Sequence, residues 1–99
     1  MIPTLNPDGD WELFVTPDWP GFAGHFPGNP VLPAAELIDL VGQTLGVGTT
    51  ELILARFLLP VVPGDRVHWH GQNTKELQGS LRIQVQRGET VVAELRWRR

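Results

Sequence analysis

The pattern of apolar and polar positions divides the chain at Pro33. Upstream, Trp11-Glu12-Leu13-Phe14-Val15-Thr16 reads as a short strand that Pro17 ends. Pro17 to Pro33 holds five prolines and three glycines, too many for a helix or a regular strand. Long irregular segments inside small domains often carry function. Pro33 suits the first position of a helix, which Ala34 to Leu45 continue and Gly46 to Gly48 stop. Everything downstream reads as strand. Leu52 to Leu59 is an apolar run closed by Pro60, and Pro63-Gly64-Asp65 makes a tight turn. Arg66 to His70 begins another strand. Leu81 to Gln86 alternates, with Leu81, Ile83 and Val85 on one face, and a turn at Arg87-Gly88-Glu89 leads into a last strand from Thr90 to Trp97. One helix and four or five antiparallel strands make an α+β domain.

Around the predicted helix, Leu37, Ile38, Leu40, Val41 and Leu45 cover most of the circumference, which predicts burial on nearly all sides. Ala35, Asp39, Gly42, Gln43 and Gly46 form a small or polar stripe. An aspartate on such a helix is either paired in a structural hydrogen bond or held neutral in a cavity. Gly42 and Gly46 also permit close approach of a strand.

Composition narrows the classes. The 99 residues allow one domain, residues 1–99, with 41% hydrophobic and 19% charged positions, which is ordinary for a folded soluble protein. With no cysteine, a disulfide scaffold, a thiolate metal cage and a cysteine nucleophile are all excluded. Met1-Ile2-Pro3-Thr4 shows no signal-peptide pattern, and no apolar stretch approaches a membrane span, so a cytoplasmic location is expected.

Charge is unevenly spread. Residues 1–55 carry seven acids and no Lys or Arg, whereas residues 56–99 carry all eight basic residues against four acids. Arg96-Trp97-Arg98-Arg99 is the densest basic patch. It is either a landing site for an acidic macromolecule or a solvated strand end. The acidic balance and the lack of a nucleic-acid-binding motif argue against nucleic acid.

Gly24-His25-Phe26-Pro27-Gly28-Asn29-Pro30-Val31-Leu32-Pro33 lies just before the helix. His25 is followed 14 positions later by Asp39, and Asp39 four positions later by Gln43. A second segment reads Phe57-Leu58-Leu59-Pro60-Val61-Val62-Pro63-Gly64-Asp65-Arg66. Together these resemble the β-hydroxyacyl-acyl-carrier-protein dehydratases of the FabA/FabZ type, and within them the compact ApeI-like dehydratases. The resemblance is clear from Phe22 to Val67 and only patternwise elsewhere.

The resemblance implies a hot-dog fold, a long helix wrapped by a curved antiparallel sheet, working as a homodimer or as a heterodimer with a related subunit. It implies dehydration of a (3R)-3-hydroxyacyl thioester to the trans-2-enoyl thioester, with no cofactor and no metal. The acyl group would be carried on the phosphopantetheine of acyl carrier protein, an acidic partner for Arg96, Arg98 and Arg99. His25 would be the base for the C2 proton, a role suited to a group that titrates near neutral pH. Asp39 would be the acid for the departing hydroxyl, which requires burial to keep a carboxyl protonated. The backbone N–H of Ala34, at a helix N-terminus, would hold the thioester oxygen, assisted by Gly28. Gln43 would orient Asp39 or line the acyl tunnel, and Phe26 and Pro33 would bind substrate. In this family His25 of one subunit would face Asp39 of the other.

Two departures stand out. Ala34 replaces the family glycine, and Glu36 stands where an apolar residue is usual. Glu36 either interacts with the helix N-terminus or signals a changed pocket. Two other function classes follow: a hot-dog thioesterase, in which the carboxylate activates water, and a non-catalytic subunit that partners an active dehydratase. His68 and His70 share a strand face, as a metal pair or as a sheet-surface pair. Trp11, Trp19, Trp69 and Trp97 are expected as core or interface anchors.

Overall fold

The alternation at Leu81, Ile83 and Val85 becomes one buried face of a six-stranded sheet. The computed structural model describes residues 1–22, 28–47, 51–70 and 80–98. In chain order the elements are β1 (Thr4–Leu5), β2 (Asp10–Phe14), a 3-10 turn at Pro20–Phe22, α1 (Ala34–Leu45), β3 (Leu52–Phe57), β4 (Arg66–His70), β5 (Ser80–Arg87) and β6 (Thr90–Arg98). The sheet order is β1-β2-β4-β5-β6-β3, and every neighbouring pair is antiparallel. The two-residue β1, too short to show a period, is the strand that sequence periodicity did not reveal. Strand β3 stops at Phe57, two residues before the apolar run ends.

The inner face is set by register. Leu81 pairs with Trp97, Ile83 with Leu95 and Val85 with Ala93, and all six side chains are buried. Val92 is an extra residue, since Gln86 pairs with Val91. The bulge places Val92 and Ala93 both in the core, and the Val92 carbonyl accepts the N–H groups of Leu58 at 2.9 Å and Leu59 at 3.3 Å. Leu13, Val15, Val67 and Trp69 extend the same cluster, and Trp11 and Trp19 pack against it half-buried.

Against this face lies α1, with Leu37, Leu40, Val41 and Gly42 buried. Two tryptophans seat it. Trp69 Nε1 donates to Thr44 Oγ1 at 2.9 Å, and Trp97 lies under Gly42, where an added Cβ would stand 3.7 Å from the indole. Gly46 ends the helix in the left-handed region at φ 71°, and Val47 N–H closes onto the Gly42 carbonyl at 3.0 Å.

Two sequence expectations change here. The helix is less enclosed than the expected burial on nearly all sides: Ala35, Asp39, Gln43 and Gly46 of the small or polar stripe are exposed in the single chain, and so is Ala34. Gly42 leaves the proposed stripe and joins the core, because it faces Trp97 rather than solvent.

Candidate active site

The approach to α1 is held by its backbone. Leu32 is buried and its N–H donates to the Val61 carbonyl at 2.7 Å, tying the segment before the helix to the one after β3. Pro33 sits just outside the helix at φ −60° and ψ 142°, so it is the N-cap and not the first helical residue. Its carbonyl accepts from Glu36 N–H at 3.1 Å and Leu37 N–H at 3.2 Å. No side chain caps the helix, which leaves the N–H of Ala34 in the open first turn, at the positive end of the helix dipole.

An apolar cavity of about 230 Å³ opens beside that turn. Ala34 and Leu37 form one wall, and the Phe57–Val61 segment forms the other. Asp65 and Arg87 hold the second wall in place. Arg87 Nη1 donates to Asp65 Oδ2 at 2.7 Å and to the Pro60 carbonyl at 3.1 Å, and the same carboxylate oxygen accepts Val62 N–H at 2.9 Å. The sequence predicts one strand over Leu52–Leu59, whereas β3 ends at Phe57 and Leu58 and Leu59 join this wall. The available signal was an apolar run that continues to Pro60.

Asp39 and Gln43 lie one helical turn apart on the exposed face of α1. Neither side chain has a partner among the described residues. Neither lines the apolar cavity of its own chain. Thus Ala34 meets the cavity, whereas Asp39 and Gln43 look outward. Gly28 occupies an exposed turn at φ 82°, a conformation that favours glycine. His25 and Phe26 lie outside the described residues. Glu36 is half-buried in the first turn, where a carboxylate complements the helix dipole.

His68 and His70 form a pair on the opposite, outer face. His68 Nε2 is 3.1 Å from Gln86 Oε1, and His70 Nδ1 is 2.7 Å from Asp10 Oδ1. Among the described residues no group of three His, Asp or Glu side chains is placed to hold a metal ion. No described helix is long and apolar enough to cross a membrane.

Comparison with known proteins converges on one family. A family model described as ApeI-like, ApeI dehydratase, matches residues 6–96. A 3-hydroxyacyl-[acyl-carrier-protein] dehydratase FabZ from Rhizobium rhizogenes is 40% identical over 75 residues, covering 63% of this chain and 48% of that protein. The FabZ of Bartonella bacilliformis is 38% identical over 87 residues, covering 70% and 56%. The chain therefore spans about half the length of the curated relatives it matches. Among solved structures, the dehydratase heterocomplex ApeI:P from Xenorhabdus doucetiae aligns with a TM-score of 0.66 at 22% identity, over 90% of this chain and 83% of that one. An uncharacterized protein from Erwinia carotovora subsp. atroseptica aligns at 0.57, also at 22% identity, over 99% and 89%. These likenesses establish the hot-dog fold.

Proposed function

The chain belongs to the ApeI-like dehydratase family, and we propose that it removes water from a (3R)-3-hydroxyacyl thioester carried on acyl carrier protein. The observation that carries this reading is the placement on α1. The open N-terminal turn at Ala34 abuts an apolar cavity, while Asp39 and Gln43 stand on the outward face of the same helix.

In the proposed reaction His25 takes the C2 proton, and the thioester oxygen gathers negative charge against the Ala34 N–H. The C3–O bond then breaks, with Asp39 supplying the proton that turns the departing hydroxyl into water. A carboxyl that donates a proton near neutral pH must be desolvated, and its own chain leaves Asp39 exposed. A second hot-dog chain over this face provides the cover and brings its His25 to Asp39. Its attachment point is β3, the sheet edge beyond β6, where Ile53, Leu54 and Phe57 are exposed, as are Leu58 and Leu59 just after the strand. An unpaired apolar edge of this kind is a template for another strand. The second chain is a further copy or a related hot-dog subunit, and the similar ApeI:P protein is itself described as a dehydratase heterocomplex.

The test uses a 3-hydroxyacyl thioester of acyl carrier protein, with enoyl absorbance and free thiol followed together. Enoyl product that vanishes in His25→Ala and Asp39→Asn supports dehydration. Free thiol without enoyl product would replace it with hydrolysis, and turnover only after a related subunit is added would make this chain a partner rather than a self-sufficient enzyme.

A further inference from the structure

Ala34 is where the open helix end and the apolar cavity meet. It begins α1, and its N–H donates to no acceptor among the described residues. Its side chain lines the cavity, with Leu37 one turn further along the same wall. Leu32, Leu37 and Val61 make a buried floor, and the exposed Phe57–Pro60 segment makes the rim. Backbone geometry fixes how close the N–H and the methyl group lie. At a helical φ of about −63° the Cβ is nearly eclipsed with the residue's own N–H, so both project to the same side. An oxygen that accepts this N–H at about 2.9 Å then lies about 3.5 Å from the Cβ, which is van der Waals contact.

We infer that Ala34 is a specificity-determining residue that restricts the site to acyl groups unbranched at C2, an inference that rests on the dehydratase reading above. With the thioester oxygen on the Ala34 N–H, C3 and the rest of the acyl chain extend into the cavity, so C2 passes beside the Ala34 methyl group. Loss of the C2 proton makes the thioester and C2 planar. Two in-plane positions remain on C2, one on the oxygen side and one on the sulfur side. An unbranched substrate fills one with C3 and the other with hydrogen. A 2-methyl substrate fills both with carbon, so a carbon stands on the oxygen side, against Ala34, whichever way the chain turns. The walls have little room to retreat. Leu37 is buried in the core beside Ala34. The opposite wall is pinned by Arg87 at the Pro60 carbonyl and by the Leu58 and Leu59 N–H groups at the Val92 carbonyl. An extra carbon in a packed site that cannot relax is strongly disfavoured.

The test measures kcat/KM for the acyl-carrier-protein thioesters of (3R)-3-hydroxyhexanoate and of its 2-methyl counterpart, supplied as both C2 epimers. The unmodified protein is expected to favour the unbranched thioester, and Ala34→Gly to narrow that preference at least about tenfold by speeding the branched one. Ala35→Gly is the control. It makes the same change one position on, at an exposed residue that does not line the cavity. It should leave the preference within about twofold, although it weakens the helix equally. Comparing variants cancels the intrinsic reactivities of the two thioesters. An unmodified protein that takes both equally, an unchanged preference in Ala34→Gly, or an equal narrowing in Ala35→Gly overturns the inference. Enoyl product from the unbranched thioester would then leave the dehydratase reading standing. No enoyl product from either thioester with any of the three proteins sinks that reading and the inference with it.

Discussion

Asp65 and Arg87 meet at 2.7 Å across the end of the β5–β6 hairpin, and their contact fixes the far wall of the apolar cavity. Asp65 is the more buried of the two, with 17% of its side chain exposed, and it also carries Val62 N–H. Removing Arg87 strands a mostly buried carboxylate and frees the Pro60 carbonyl. Arg87→Ala is therefore expected to lose about 1–3 kcal/mol of stability, read as a lower urea midpoint at unchanged slope. Arg87→Lys is expected to recover only part of this, because a point charge cannot reproduce both directed bonds.

The bond from Trp69 Nε1 to Thr44 Oγ1 gives a second prediction. Thr44→Val keeps the shape of the side chain but leaves the indole N–H of a buried tryptophan without an acceptor. The expected loss is about 1–3 kcal/mol in chemical denaturation, and Thr44→Ser should restore most of it. A larger loss in Thr44→Ser than in Thr44→Val would show that the methyl group, not the hydrogen bond, seats the helix.

Much of this architecture was legible in the sequence because its signals are local. Pro33 and Gly46 bracket α1, and the alternation at Leu81, Ile83 and Val85 marks β5. Arg66–His70, where the alternation predicts that a strand begins, is β4. Periodicity could not show that Gly42 faces Trp97, because that contact joins residues 55 positions apart in sequence. For the same reason the cavity wall at Phe57–Val61 was missed: it depends on Arg87 and on the Val92 bulge, both far along the chain. The stripe of Asp39 and Gln43 was read correctly as distinct. Both are exposed in the single chain, because Leu37, Leu40 and Val41 turn the other side of the helix to the sheet.

The two glycines of α1 are expected to respond for different reasons. A Cβ at Gly42 would stand 3.1 Å from the Val47 carbonyl oxygen, and Val47 is itself bound to the Gly42 carbonyl at 3.0 Å. The turn cannot yield without lengthening that bond, so Gly42→Ala should lower the melting temperature despite the better helix propensity of alanine. A Cβ at Gly46 meets nothing within 4 Å, yet φ is 71°, so Gly46→Ala should cost about 1–2 kcal/mol through backbone strain alone. A Gly42→Ala variant with raised melting temperature would mean that the Val47 turn shifts freely.

Asp39 separates catalysis from stability. Because it is exposed and unpartnered in the single chain, Asp39→Asn should change monomer stability by no more than about 0.5 kcal/mol, while enoyl formation falls to background. A parallel fall in both would assign the carboxylate a structural role.

Edge pairing through β3 makes the final prediction. Ile53 sits at the irregularity between Leu52 and Leu54, is 46% exposed, and lies on the outermost strand. A lysine there disturbs little in its own chain but places a charge on a strand that a partner must approach closely. Ile53→Lys should shift sedimentation toward the single chain while far-ultraviolet circular dichroism is retained. If Asp39 needs a second chain to cover it, enoyl formation should fall in step with the associated fraction and return as protein concentration rises. Full activity in a variant that sediments as a single chain would mean that one chain holds the whole site. The cover over Asp39 would then have to come from its own residues, and the β3 edge would be left to some other partner.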